Sequence, residues 1–152
     1  TLYNLVLSAL DASIDLVKPG ASWNTIYETN MAVITRGLIE LGILSGDFDA
    51  LMASQAYKKF TVHKTGHWMG LHVHDVGRYH DANGEWITLQ PNMVFTIEPG
   101  IYIPSDCTDV DEKWRGIAIR IEDDILVTET GYENLSIKAP RTIADIEAVM
   151  VK

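Results

Sequence analysis

All five histidines of the chain fall between His63 and His80, and none lies elsewhere. Imidazole exchanges its proton near neutral pH and is the commonest protein ligand for metal ions. Such a cluster therefore raises acid–base or metal chemistry first. Taken singly, a histidine in an extended stretch is more often a packed structural residue, so the clustering carries the weight. In LHVHDV (71–76), Leu71 and Val73 alternate with His72 and His74, which places both histidines on one face of an extended segment. His63 and His67 are four apart, but Gly66 between them argues against a helix there.

Two glutamates complete the candidate set. Glu98 closes the apolar run MVFTI and is followed by Pro99 and Gly100, which end regular strand pairing. A carboxylate among apolar neighbours is costly to bury unless it is paired or binds a metal. Glu122 lies in RIEDD beside Arg120 on the same strand face, and its plainest role is an Arg–Glu ion pair on a solvated sheet. Imidazole with two carboxylates from separate strands suits a hard or borderline divalent cation such as Mn²⁺, Co²⁺ or Zn²⁺. The residues alone point to His67 or His74 with Glu98 and Glu122. Other constellations fit less well. No H-E-x-x-H is present, the His72-x-His74 pair is not continued as in amidohydrolases or cupins, no Gly-rich phosphate loop precedes a helix, and no serine sits in a nucleophile elbow.

The elements that must position these residues change character near residue 60. Before it, Leu2, Leu5, Val6, Leu10, Ile14 and Val17 recur at helical steps until KPG (18–20) stops the run. A second helix is expected from about Ser22, carrying Tyr27, Met31, Ile34, Leu38 and Leu41, and a short third within 47–60. After residue 60 the period is two. Segment 93–103 alternates Met93, Phe95 and Ile97 against Val94, Thr96 and Glu98. Segment 116–127 sets Ile117, Ile119, Ile121, Ile125 and Val127 against Arg120, Glu122 and Asp124. A last helix follows Thr142 as its cap. Helices followed by strands predict a single α+β domain over 1–152, with helices packed on an antiparallel sheet.

Bulk properties narrow the partners. A net charge of −9 repels phosphate backbones, so nucleic acid is not an expected partner. No apolar run is long enough to span a bilayer, so no membrane partner is expected either. The single cysteine, Cys107, lies in a polar stretch with no activating base and is compatible with a reducing cytoplasm, the expected location.

HWMGLHVHDVG (67–77), MVFTIEPGIYI (93–103) and RGIAIRIEDDILVTETGYENLS (115–136), in that order, resemble the C-terminal catalytic part of the Xaa-Pro aminopeptidases, within the pita-bread metallopeptidases of family M24. The resemblance extends over nearly the whole chain, KPGAS and LGILSGD included. It implies the C-terminal half of a pita-bread fold with a curved antiparallel sheet. It further implies hydrolysis of the bond between an N-terminal residue and a following proline by a hydroxide that two divalent ions, Mn²⁺ first among them, activate. By position, His67, Glu98 and Glu122 match metal ligands, and Glu98 also matches the acceptor of the water proton. His74 matches the histidine that steadies the scissile carbonyl, His63 a further active-site histidine, and Arg120 an arginine orienting the carboxylates. His72 and His80 match no functional position. Two aspartate ligands of the family lie upstream of the first helix. Asp11, Asp15, Asp47 and Asp49 stand in helical or turn contexts and do not replace them. The resemblance thus implies a truncated catalytic domain, inactive by itself, that associates with a second copy or with the missing N-terminal part. Prolidase, which cleaves only dipeptides, and a non-catalytic pita-bread binding module are the rival readings.

Overall fold

The computed structural model describes residues 1–151. Helix α1 spans Leu2–Ile14 and α2 spans Trp23–Glu40. They pack through the apolar stripes read from the sequence, with Val6, Leu10, Ile34 and Leu38 fully buried. Each such side chain removed from water contributes about 1.5–3 kcal/mol. Gly37 lets the helices approach closely, since a Cβ there would run into the Leu5 side chain. The short α3, Phe48–Ala53, is capped by the Asp47 carboxylate, which accepts from the Ala50 N–H at 3.0 Å.

Five short strands follow: β1 (Val94–Ile97), β2 (Gly100–Tyr102), β3 (Ala118–Arg120), β4 (Asp123–Val127) and β5 (Tyr132–Asn134). They form two antiparallel sheets, β1-β4-β5 and β2-β3. Each of the two strands expected at 93–103 and 116–127 is therefore broken in two. Pro99 has no N–H to donate, and opposite it the pairing narrows to one bond from the Ile121 N–H to the Pro99 carbonyl at 3.3 Å. The break leaves Glu98 and Glu122 at the seam between the sheets. The isoleucine face is as expected on β4, where Ile125 and Val127 are buried. Segment 93–103 departs from the simple alternation, because Thr96 and Glu98 are buried along with Phe95 and Ile97.

The cause of that two-sided burial is a third chain segment. Residues 65–69 run along the free edge of β1: Met69 N–H bonds to the Val94 carbonyl, Thr96 N–H to that of His67, and Glu98 N–H to that of Thr65. Trp68 anchors this segment, its ring 4.5 Å from Trp23 and 6.0 Å from Phe95. Helix α4, Ile143–Met150, closes the chain, with the Thr142 hydroxyl accepting from the Asp145 N–H. Arg141 just before it reaches back to Asp11 and to the buried Asp123.

Candidate metal centre

The edge pairing of 65–69 on β1 fixes where His67 stands. Its N–H donates to the Thr96 hydroxyl at 3.0 Å, and that hydroxyl donates to Glu98 Oε1 at 3.3 Å. The His67 Nδ1 lies 3.0 Å from the Trp68 carbonyl. A carbonyl can only accept, so Nδ1 carries the proton, and in the neutral ring Nε2 presents a lone pair. That lone pair faces Glu98 Oε1 at 3.4 Å. Two acceptors aimed at one another need a proton or a cation between them. Glu122 comes from across the seam, and one ligand atom each from His67, Glu98 and Glu122 lie within 4.8 Å of one another. The donor set of one neutral imidazole and two carboxylates fits a divalent cation.

Glu98 is 7 % exposed, and the protein surrounds it with positive or donating groups. Arg120 approaches Oε2 at 3.2 Å, and His63 Nδ1 stands 4.0 Å from the same oxygen. Glu122 is more open, yet loss of solvent around its carboxyl raises its pKa above the ordinary glutamate value. The charges of Glu98 and Asp124 push the same way, and His67 and Arg120 oppose them.

The remaining candidates divide. His74 is exposed, but its ring meets that of His67 edge-on with 4.2 Å between centroids, which brings it to the rim of the centre. His72 is exposed on the same loop, and His80 packs on Trp86 at 4.1 Å, away from the glutamates. The extended segment expected at 71–74 is a series of bends, with Leu71 99 % exposed and no strand partner beside it. Alternation there reflects no buried face. Two participants were missed in the sequence. Thr96 bridges His67 and Glu98, and Tyr102 lies between His63 Nε2 at 2.8 Å and Arg120 Nε at 2.7 Å. Both sit on short apolar strands, where Thr and Tyr read as packing residues. Their position two and four residues from Glu98 was the only signal.

A cleft of about 1100 Å³ opens on the other side of His63, lined by Trp23, Tyr27, Tyr79 and Trp86 among others. It reaches His63 and Thr96 but none of His67, Glu98 and Glu122, so it adjoins the centre without containing it.

Paired helices packed on antiparallel strands are the architecture of the pita-bread metallopeptidases. The sequence matches metallopeptidase family M24 over residues 1–129, and the chain belongs to that family. It is 45% identical over 150 residues to the Xaa-Pro aminopeptidase of Escherichia coli (strain K12), covering 99% of this chain and 33% of that protein. The Xaa-Pro aminopeptidase of Haemophilus influenzae is 48% identical, with 98% and 34% covered. Among solved structures, the Pseudomonas aeruginosa aminopeptidase PepP superposes with a TM-score of 0.95 at 52% identity, over 98% of this chain and 34% of that one. The chain spans about a third of the length of the relatives it matches. Among the described residues, no helix is long and apolar enough to cross a membrane.

Proposed function

We propose that the chain supplies His67, Glu98 and Glu122 to the divalent-metal centre of an Xaa-Pro aminopeptidase, acting on peptides with proline in the second position. One observation carries this reading: the unprotonated Nε2 of His67 faces Glu98 Oε1 at 3.4 Å with Glu122 in reach. Relatives that share this stretch bear the name Xaa-Pro aminopeptidase. Bound divalent ions, Mn²⁺ or else Co²⁺ or Zn²⁺, would supply an activated water and a Lewis acid for the peptide carbonyl. Two further ligands, aspartates in the family's pattern, would come from outside this chain.

The chain's own residues then have separate tasks. Glu98 would hold the cation and would accept the proton of the attacking water. Glu122 would add its carboxylate as a ligand from across the seam. Arg120 fixes the Glu98 carboxylate through Oε2, so that Oε1 stays turned toward His67. His74, at the rim, donates a hydrogen bond to the oxygen that becomes negative when the carbonyl is attacked. His63 borders both the centre and the aromatic cleft. The exposed Leu71, Val73 and Val76 are where the rest of the protein, or a second copy, would pack. One unpaired cysteine fits a reducing cytoplasm.

The test is hydrolysis by the longer protein containing this chain, loaded with Mn²⁺, on Xaa-Pro and Xaa-Ala tripeptides and an Xaa-Pro dipeptide. The proposal expects cleavage of the Xaa-Pro tripeptide, none of Xaa-Ala, and loss of at least about 1,000-fold in Glu98→Ala. Cleavage confined to the dipeptide would make it a prolidase. No cleavage with metal bound would make it a binding module.

A further inference from the structure

The hydrogen-bond chain through Tyr102 has only one consistent direction. Arginine can only donate, so Arg120 Nε–H donates to the Tyr102 oxygen at 2.7 Å. At the other end, His63 Nδ1 lies 2.6 Å from the Lys64 carbonyl, which can only accept. In the neutral ring Nδ1 therefore carries the proton and Nε2 accepts. Tyr102 lies 2.8 Å from that Nε2 and must donate to it. Both ring nitrogens of His63 are thus committed within the protein, and its ring meets Tyr102 edge-on at 5.3 Å. The other arm of Arg120 holds Glu98 Oε2 at 3.2 Å.

Gly100 supplies an independent observation. Its φ is not positive, so backbone conformation does not demand glycine. Space does. A Cβ at this position would stand 2.6 Å from the Tyr102 oxygen and 2.9 Å from His63 Nε2, crowding both bonded atoms from one side. The glycine of EPG is a clearance for this one hydrogen bond.

We propose that Tyr102 is a positioning residue that ties His63 to Arg120 and thereby braces Glu98, with Gly100 leaving the room it needs. His63 in this arrangement presents ring carbons and not a free nitrogen to whatever enters the cleft. It acts through Tyr102 and Arg120. The relay consists of protein groups alone. Its bearing on chemistry rests on Glu98 being a metal ligand.

The test is ¹⁵N NMR of the metal-free chain labelled at histidine and arginine, with His63→Asn assigning the ring signals. The wild type should show His63 protonated at Nδ1, with Nε2 shifted as a hydrogen-bond acceptor and Arg120 Nε–H slowed in exchange. Tyr102→Phe, which keeps the ring and the packing, should leave the fold and the Nδ1 proton intact. It should move Nε2 to the position of an unbonded nitrogen and speed Arg120 Nε–H exchange at least about fivefold. Gly100→Ala should reproduce both changes. Mn²⁺ affinity should fall about tenfold in Tyr102→Phe, the low end for residues that orient a ligand. A wild-type His63 protonated at Nε2, or His63 and Arg120 signals unchanged in Tyr102→Phe, would overturn the proposal. Because the NMR readout is metal-free, it stands or falls separately from the peptidase reading. If the NMR shifts occur but Mn²⁺ affinity is unchanged, the brace on Glu98 is refuted.

Discussion

His67 and Glu98 face each other across 3.4 Å, imidazole Nε2 to carboxylate Oε1. The two residues are far apart in sequence, and the pairing of 65–69 along β1 is what brings them together. The contact is unfavourable until a cation or a proton enters, which makes it the centre of the functional reading.

Glu98→Gln keeps the volume of the side chain and removes its charge. Arg120 then loses its carboxylate and a cation loses one anionic ligand. Mn²⁺ affinity should fall by more than about 100-fold, beyond the effect usual for residues behind the ligands. Calorimetric titration of the variant checks this, and an unchanged isotherm would remove Glu98 from the centre.

Gly66→Ala attacks the positioning of His67 without touching a ligand. A Cβ at residue 66 would run into the Thr96 carbonyl oxygen, and backbone cannot step aside as a side chain can. The 65–69 segment must lift from β1. The expected cost is about 1–3 kcal/mol of stability, with a parallel loss of Mn²⁺ binding. Urea melts with and without metal measure both, and full stability would show the segment to be more adaptable than its hydrogen bonds imply.

Arg141→Ala tests how the chain end is tied down. Arg141 bonds Asp11 at 2.9 Å and Asp123 at 2.7 Å, and Asp123 is 2 % exposed. Without the arginine, Asp123 keeps the Ser136 hydroxyl at 2.6 Å as its side-chain donor. A buried carboxylate left short of a partner should lower stability by about 2–4 kcal/mol. Asp123→Asn should recover part of the loss, since an amide tolerates the site uncharged. Thermal melts of the single and double variants decide it.

The acidity of Glu122 gives a pH dependence with a definite sign. Burial first, then Glu98 and Asp124, raise its folded pKa above the ordinary glutamate value. In the metal-free chain this group's stabilising contribution is present below that ordinary value. It is lost as pH rises through the raised one. A divalent cation relieves the repulsion of the ionised carboxylates and cannot bind the protonated ones. The gain in Tm from Mn²⁺ should therefore be small near about pH 4 and grow as pH rises through the raised Glu122 value. Melts across that range check it. A gain that shrinks with rising pH would contradict the ligand assignment.

Helices and candidate site residues were legible in the sequence for different reasons. The stripes Leu2–Val6–Leu10 and Ile34–Leu38 are set by the helical repeat itself and reappear as the buried core. Glu98 could be singled out because its neighbours are apolar, and Glu122 because charges collect on one face of an isoleucine strand. What could not be read was tertiary. The alternation of Leu71, His72, Val73 and His74 resembles a strand, yet no neighbour pairs with it and its apolar side chains stand in the open. The break at Pro99 was visible. That it splits two sheets and puts Glu98 opposite His67 depends on the 65–69 edge pairing, which has no local sequence mark. Tyr102 and Thr96 were hidden because their chemistry lies in hydrogen bonds to residues distant in sequence.

The most direct measurement is calorimetric titration of this chain with Mn²⁺ near neutral pH, beside His67→Ala and Glu122→Ala. The expected result is one ion per chain, bound more weakly than a full ligand set would hold it, and lost in either variant. No binding to the folded wild-type chain, or binding that survives removal of His67, would contradict a divalent-cation centre built on His67, Glu98 and Glu122.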